Sequence, residues 1–167
     1  MLRAITLHQP WAWAVLVLSK RVENRTWKPS RRQLVPMDPL VIHAGMTVDR
    51  KGLSWLKMAQ AERRLPEADW DVHIPSADDF YRENMGRLTD RGAVVGVVSY
   101  RGVIQSSRDP YFVGPFGWLL EDRIPLCSTV PARGAQGLWK LSVALERNVR
   151  LRWEEAQLRS GSPSDRR

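Results

Sequence analysis

The chain has 167 residues, 26 Lys and Arg against 18 Asp and Glu for a net charge of +8, 43% hydrophobic residues and eight tryptophans. That apolar and aromatic content excludes a disordered chain, and 11 Gly with 11 Pro is far too little for a collagen-like or mucin-like one. One compact domain is expected at this length, and the basic excess points to an anionic partner, most often nucleic acid.

A lone cysteine, Cys127, permits neither an internal disulfide nor a cysteine-based zinc site, so no metal or cofactor is expected and a reducing, cytoplasmic setting is. The longest apolar run, Trp11–Leu18, falls well short of the ~20 residues that a membrane span requires. His8-Gln9-Pro10 splits the N-terminus, and Lys20-Arg21 stand where a signal peptide would carry small residues, so no export signal is expected.

Residues 3–8 alternate as a strand with Ile5 and Leu7 on one face, and Gln9-Pro10 ends it. Pro10 suits the first turn of a helix over Trp11–Ser19, which is apolar on every side and so predicted to be buried. In the strand predicted over 22–27, Glu23 and Arg25 share one face while Val22, Asn24 and Thr26 share the other. Pro29, Pro36 and Pro39 then break the chain into a basic loop, Lys28–Asp38, before a third strand at 39–45. Apolar residues at 53, 56 and 59 predict a surface helix within Val48–Leu65. The stretch 66–91 reads as a long loop with one short helical turn near Ala77–Met85. Three further strands are predicted at 93–103, 117–126 and 138–145. A short amphipathic helix at 150–159 and a frayed tail, GSPSDRR, close the chain. The fold class is α+β: a small mixed β-barrel of about six strands, most pairings antiparallel, with covering helices. Residues 1–146 form the domain, and 147–167 the C-terminal helix and basic tail.

The charge is local. Residues 20–32 hold Lys20, Arg21, Arg25, Lys28, Arg31 and Arg32 against Glu23 alone, and residues 50–64 hold Arg50, Lys51, Lys57, Arg63 and Arg64 against Glu62. A concentration of this kind can track phosphates; the alternative for 50–64 is a solvated helix face.

The segments HQPWA (8–12), KRVENR (20–25), LVIHAG (40–45), GAVVGVV (92–98), FGWLLED (116–122), IPL (124–126) and GAQGLWKL (134–141) follow one another in the order and rough spacing of the ASCH domain. This group, named for activating signal cointegrator homology, falls within the PUA-like barrels, and the resemblance covers about residues 1–145. The family's G-x-K-x-x-E-x-R signature falls on Lys20, Glu23 and Arg25, with Leu18 in place of the glycine, which predicts a differently shaped helix–strand corner. The resemblance implies a barrel whose cleft takes RNA, DNA or a modified nucleobase, RNA ahead of DNA.

The residues themselves agree in part. A carboxylate between two cations can stay ionised and accept hydrogen bonds from a base, while Lys20 and Arg25 hold a phosphate or carbonyl oxygen. The same trio could instead be an ion-pair cluster closing the barrel. Trp11, Trp27 and Trp118 flank these residues or resemble the cleft wall, and stacking on a base is worth ~1–3 kcal/mol. Trp13, Trp55 and Trp139 are assigned to packing. Gln9, His8 and His43 are further hydrogen-bonding candidates, and Lys28, Arg31 and Arg32 extend the basic surface. Some relatives hydrolyse acylated cytidines or RNA, which makes Lys20 and Glu23 the catalytic candidates under an enzymatic alternative. The amidohydrolase pattern, however, has threonine where this chain has Glu23. A protein-interaction module using the basic surface is the third alternative.

Overall fold

A computed structural model describes residues 1–82 and 85–160; the tail expected to fray lies outside the described residues. The chain is mixed α and β. Six strands, β1 (Arg3–Gln9), β2 (Val22–Arg25), β3 (Pro39–Val48), β4 (Ala93–Ile104), β5 (Phe116–Pro131) and β6 (Leu138–Lys140), form one sheet in the order β2-β5-β4-β3-β1-β6. Only β1 and β3 pair in parallel. Four helices accompany them: α1 (Trp11–Val17), α2 (Arg50–Ala61), α3 (Ala77–Tyr81) and α4 (Val143–Ser160).

Alternation along the strands, re-phased by irregularities in the β4–β5 ladder, divides the central strands between two cores. Ile5, Leu7, Leu40, Ile42, Val95, Val98, Trp118 and Leu120 pack toward α1, whereas Ala4, Val41, Val94, Val97, Leu126 and Val130 face α4 through Val149, Leu145 and Trp153. Helix α1 is buried between layers, as its all-round apolar sequence predicts: Val15 and Leu16 meet the sheet, while Trp13, Ala14 and Leu18 meet Leu53, Leu56 and Phe80 of α2 and α3. Burying each such aliphatic side chain stabilises the fold by roughly 1.5–3 kcal/mol before entropy is counted.

The sheet does not close into a barrel. β2 and β6 remain its two edges, and β6 is too short to cover β1, pairing only with Arg3–Ile5. Just past that ladder, Arg25 of β2 reaches across and donates from Nη2 to the Thr6 carbonyl of β1 at 3.2 Å. A side chain thus spans the seam where a closed barrel would have backbone pairing.

Two other boundaries differ from the sequence pattern. The apolar run 138–145 is strand only to Lys140. The Ser142 hydroxyl then accepts the Leu145 N–H at 3.3 Å and its carbonyl the Glu146 N–H at 2.8 Å, which starts α4 seven residues before the predicted helix. Residue 146 therefore lies inside α4, whose Val149, Leu145 and Trp153 pack on the second of the sheet's two cores. β2 stops at Arg25, leaving Trp27 beyond the strand. No helix among the described residues is long and apolar enough to cross a membrane.

Candidate functional site

The open seam between β1 and β2 is the mouth of a cleft of about 690 Å³. β1 contributes Thr6, Leu7 and His8, β2 contributes Glu23, Asn24 and Arg25, and Trp11, Trp55, Asp49 and Tyr111 complete the walls. Three residues singled out in the sequence, Lys20, Glu23 and Arg25, line this cleft together. Lys20 is buried to 2% exposure, and its Nζ donates to Glu23 Oε2 at 3.0 Å and to the Val22 carbonyl. Arg25 Nε lies 3.3 Å from Glu23 Oε1, within ion-pair distance but outside hydrogen-bond geometry. One oxygen of Glu23 is therefore committed to Lys20. No hydrogen bond among the described residues occupies the other.

The surrounding chain holds this arrangement from behind. The Ser19 N–H, one residue before Lys20, is fixed by both oxygens of buried Asp69 at 2.8 and 3.0 Å, and the same carboxylate accepts the Tyr111 hydroxyl at 3.0 Å. Burial, reinforced by the Asp69 charge, pushes the Tyr111 phenol well above its ordinary range, so it remains a neutral donor. Arg123 donates to the Leu18 carbonyl, and burial lowers its pKa, with Arg21 adding repulsion. Asn24 draws the 110–113 loop onto β2, donating to the Tyr111 carbonyl at 2.8 Å and accepting the Val113 N–H at 2.9 Å.

Aromatic rings line the same cleft. Trp11 and Trp55 lie 6.1 Å apart, centre to centre, and Trp55 and Tyr111 6.0 Å. Trp11 Nε1 donates to Asp49 Oδ2 at 2.9 Å, and Asp49 caps α2 through the Gly52 N–H at 2.8 Å. Burial works against the Asp49 charge, but the hydrogen bonds from Gly52 and Trp11 outweigh it and hold the carboxyl below its ordinary pKa. Lys20 Nζ lies 5.8 Å from the centre of the Trp11 ring.

Other expected site residues lie elsewhere. Gln9 is fully buried: its amide donates to the Leu88 and Asp90 carbonyls and accepts the Trp13 N–H, so it ties α1 to a distant loop. Trp118 has no exposed surface and packs edge-on to Trp27 and Tyr100, which leaves no face for a base. Trp27 accepts the Trp118 Nε1–H at its carbonyl and borders a separate groove beyond Arg25. His43 is 1% exposed, bonded through Nε2 to the Ala132 carbonyl at 2.9 Å and apart from the Lys20 cleft; burial lowers its pKa, so it is neutral at neutral pH. Lys28 sits over Phe116, and Arg31 and Arg32 project into solvent from the following turn. Of the basic segment 50–64, only Lys51 reaches the cleft walls among its cations; Arg50 and Arg63 stack on Tyr81 and Trp70, and Arg64 pairs with Glu62.

The sequence pattern missed Asp49, Tyr111 and the cleft role of Trp55. Gly52 inside a helical pattern is the one signal for the second wall. A Cβ there would fall 2.5 Å from Trp11 Cζ2, so only glycine lets the indole lie against the α2 backbone. Among the described residues no group of three or more His, Cys, Asp or Glu side chains is placed to hold a metal ion.

No protein-family model matches the chain, and no curated protein matches it. The chemistry of this cleft therefore rests on its own geometry: a carboxylate oxygen without a hydrogen bond among the described residues, two cations beside it, and aromatic rings lining the same space of about 690 Å³.

Proposed function

We propose that this chain is an ASCH domain of the PUA-like class that binds a nucleobase, carried by RNA or present as a modified nucleoside, in the cleft at the β1–β2 seam. The observation that carries the reading is Glu23, whose Oε2 is tied to Lys20 at 3.0 Å while Oε1 has no hydrogen-bond donor from the described residues. An acceptor-only group in one cleft with Trp11 and Trp55 suits the amino or imino edge of a base, whose ring stacks while its polar edge is read. The volume of about 690 Å³ lies within the range of small-molecule sites and excludes a duplex from the interior. The order of the sequence motifs supports the family assignment. On this reading the open sheet is a PUA-like barrel parted at this seam, which Arg25 bridges.

The test is a salt titration of binding to single- and double-stranded RNA and DNA alongside a nucleoside panel. Saturable binding of a single strand or a nucleoside is expected, and absence of binding to every probe contradicts the proposal. A catalytic second reading has one observation in its favour: Lys20 lines the same cleft. Product released from acylated cytidine or RNA by the wild type but not by Lys20→Ala supports it; inert or equally active proteins overturn it.

A further inference from the structure

A second groove, of about 1090 Å³, adjoins the cleft and shares Thr6, His8 and Arg25 with it. Its character is different. Arg25, Arg82, Arg91 and Arg133 line it, and no Asp or Glu does so among the described residues. Arg91 is held in place, stacked on Tyr81 at 5.0 Å and donating to the Met46 carbonyl at 3.0 Å. Arg133 is exposed and in no ion pair among the described residues, and Arg82 has only a loose contact of 3.5 Å to Asp79. The floor is glycine-rich backbone of residues 132–137. Gly134 lies so close to His43 that a Cβ would fall 2.5 Å from its ring.

Unmet polar atoms cluster here. Of the five buried side-chain nitrogens without a hydrogen-bond partner among the described residues, the Nε atoms of Arg25 and Arg91 belong to residues lining this groove, while His43, whose Nε2–H is committed to the Ala132 carbonyl, presents its Nδ1 only as an acceptor. Native chains rarely leave such groups unpaired. Four guanidinium groups with no lining carboxylate among the described residues make this a surface suited to an external anion.

We infer that this groove is a phosphate track, and that the molecule entering the neighbouring cleft is one nucleotide of a single strand whose phosphodiesters run over Arg25 toward Arg82 and Arg133. The inference builds on the nucleobase reading of the cleft and extends its ligand from an isolated base to a strand. Arginine suits the role because its planar fork pairs with phosphate oxygens. Arg25 joins the two regions: its Nε lies 3.3 Å from Glu23 Oε1 and its Nη2 donates to the Thr6 carbonyl, at the boundary that both spaces share.

The experiment measures anisotropy of a labelled single-stranded RNA hexamer, an abasic strand of the same length and free nucleosides with the full chain. The proteins are wild type, Arg82→Ala/Arg133→Ala, Arg82→Lys/Arg133→Lys and Glu23→Gln. Each phosphate contact to a single strand scales affinity as salt to about the power −0.7, so losing two weakens hexamer binding about 25-fold at 0.1 M salt and makes the log–log slope shallower by about 1.4. The lysine pair should restore most of this, and nucleoside binding should not change in the alanine pair. A hexamer affinity and salt slope equal to wild type in the alanine pair overturns the track. If nucleosides bind while the hexamer ignores the arginines, the track fails and the base cleft stands. If the abasic strand depends on the arginines while no nucleoside binds and Glu23→Gln is silent, the base reading fails and the track stands as an anion groove alone. No hexamer binding by the wild type overturns the track outright.

Discussion

Replacing Gly52 with alanine sets two physical effects against each other. Helix propensity alone favours the change by about 0.5–1 kcal/mol, because glycine loses more backbone freedom in a helix than alanine. The geometry opposes it: a Cβ at this position would lie 2.5 Å from Trp11 Cζ2, 2.8 Å from Cε2 and 2.5 Å from Asp49 Oδ2. Overpacking of that kind costs roughly 1–3 kcal/mol. Moving the indole away also sacrifices its 2.9 Å hydrogen bond to Asp49, and a hydrogen bond to a charged group contributes about 1.5–3 kcal/mol. The net expectation is a loss of at least about 1.5 kcal/mol, or a fall in Tm of at least about 3 °C for a chain of this size. Urea unfolding followed by tryptophan fluorescence reads the stability directly. Nucleoside titration of the folded variant should show at least about fivefold weaker binding, since a base stacked on an aromatic ring contributes ~1–3 kcal/mol. A variant as stable as wild type, or more stable, would refute the claim that Trp11 is pinned against α2.

The remaining predictions concern Asp49 and the tryptophans. Asp49→Asn should be destabilising at neutral pH. The folded carboxyl is held below its ordinary pKa by Gly52 and Trp11 despite burial, so its contribution is present above about pH 4 and fades as pH falls through the lower folded-state value. Urea midpoints of the two proteins should converge as pH falls below about 4, the ordinary aspartate pKa; a constant gap would contradict the linkage. Trp118→Ala should cost about 3–5 kcal/mol as a core truncation, whereas Trp11→Ala should weaken nucleoside binding in protein that remains folded. Equal binding losses per molecule of folded protein for both variants would contradict the placement of Trp118 in the core.

The early chain was legible because local rules decide it. Alternation puts Ile5 and Leu7 in the core, Pro10 opens α1, and a spacing of two brings Glu23 and Arg25 to one side of β2. The run LWKLSVAL failed because a short apolar stretch fits strand and helix alike, and Ser142 capping decided between them. Trp118 and Trp11 are chemically equivalent as sequence; only the fold reveals that one has both faces covered. Gln9 illustrates the same limit, since its three partners lie four residues away and about eighty residues away. Tyr111 reaches the cleft on a loop anchored by Asn24, and Arg82, Arg91 and Arg133 are single residues from separate segments that share one groove. No local pattern encodes such convergence. The expected barrel stopped short for a reason visible at its edge: β6 pairs with only three residues of β1, and the uncovered stretch became the cleft.

Calorimetric titration of wild type and Glu23→Gln with a panel of unmodified and modified nucleosides tests the central claim most directly. The variant keeps the shape of the side chain, and the Val22 carbonyl still accepts from Lys20, so the protein should remain folded. The account predicts saturable binding of at least one nucleoside by the wild type and a loss of about tenfold or more in the variant, as expected for a hydrogen bond to a charged acceptor. A panel in which nothing binds, or in which the variant binds as tightly as wild type, would contradict it.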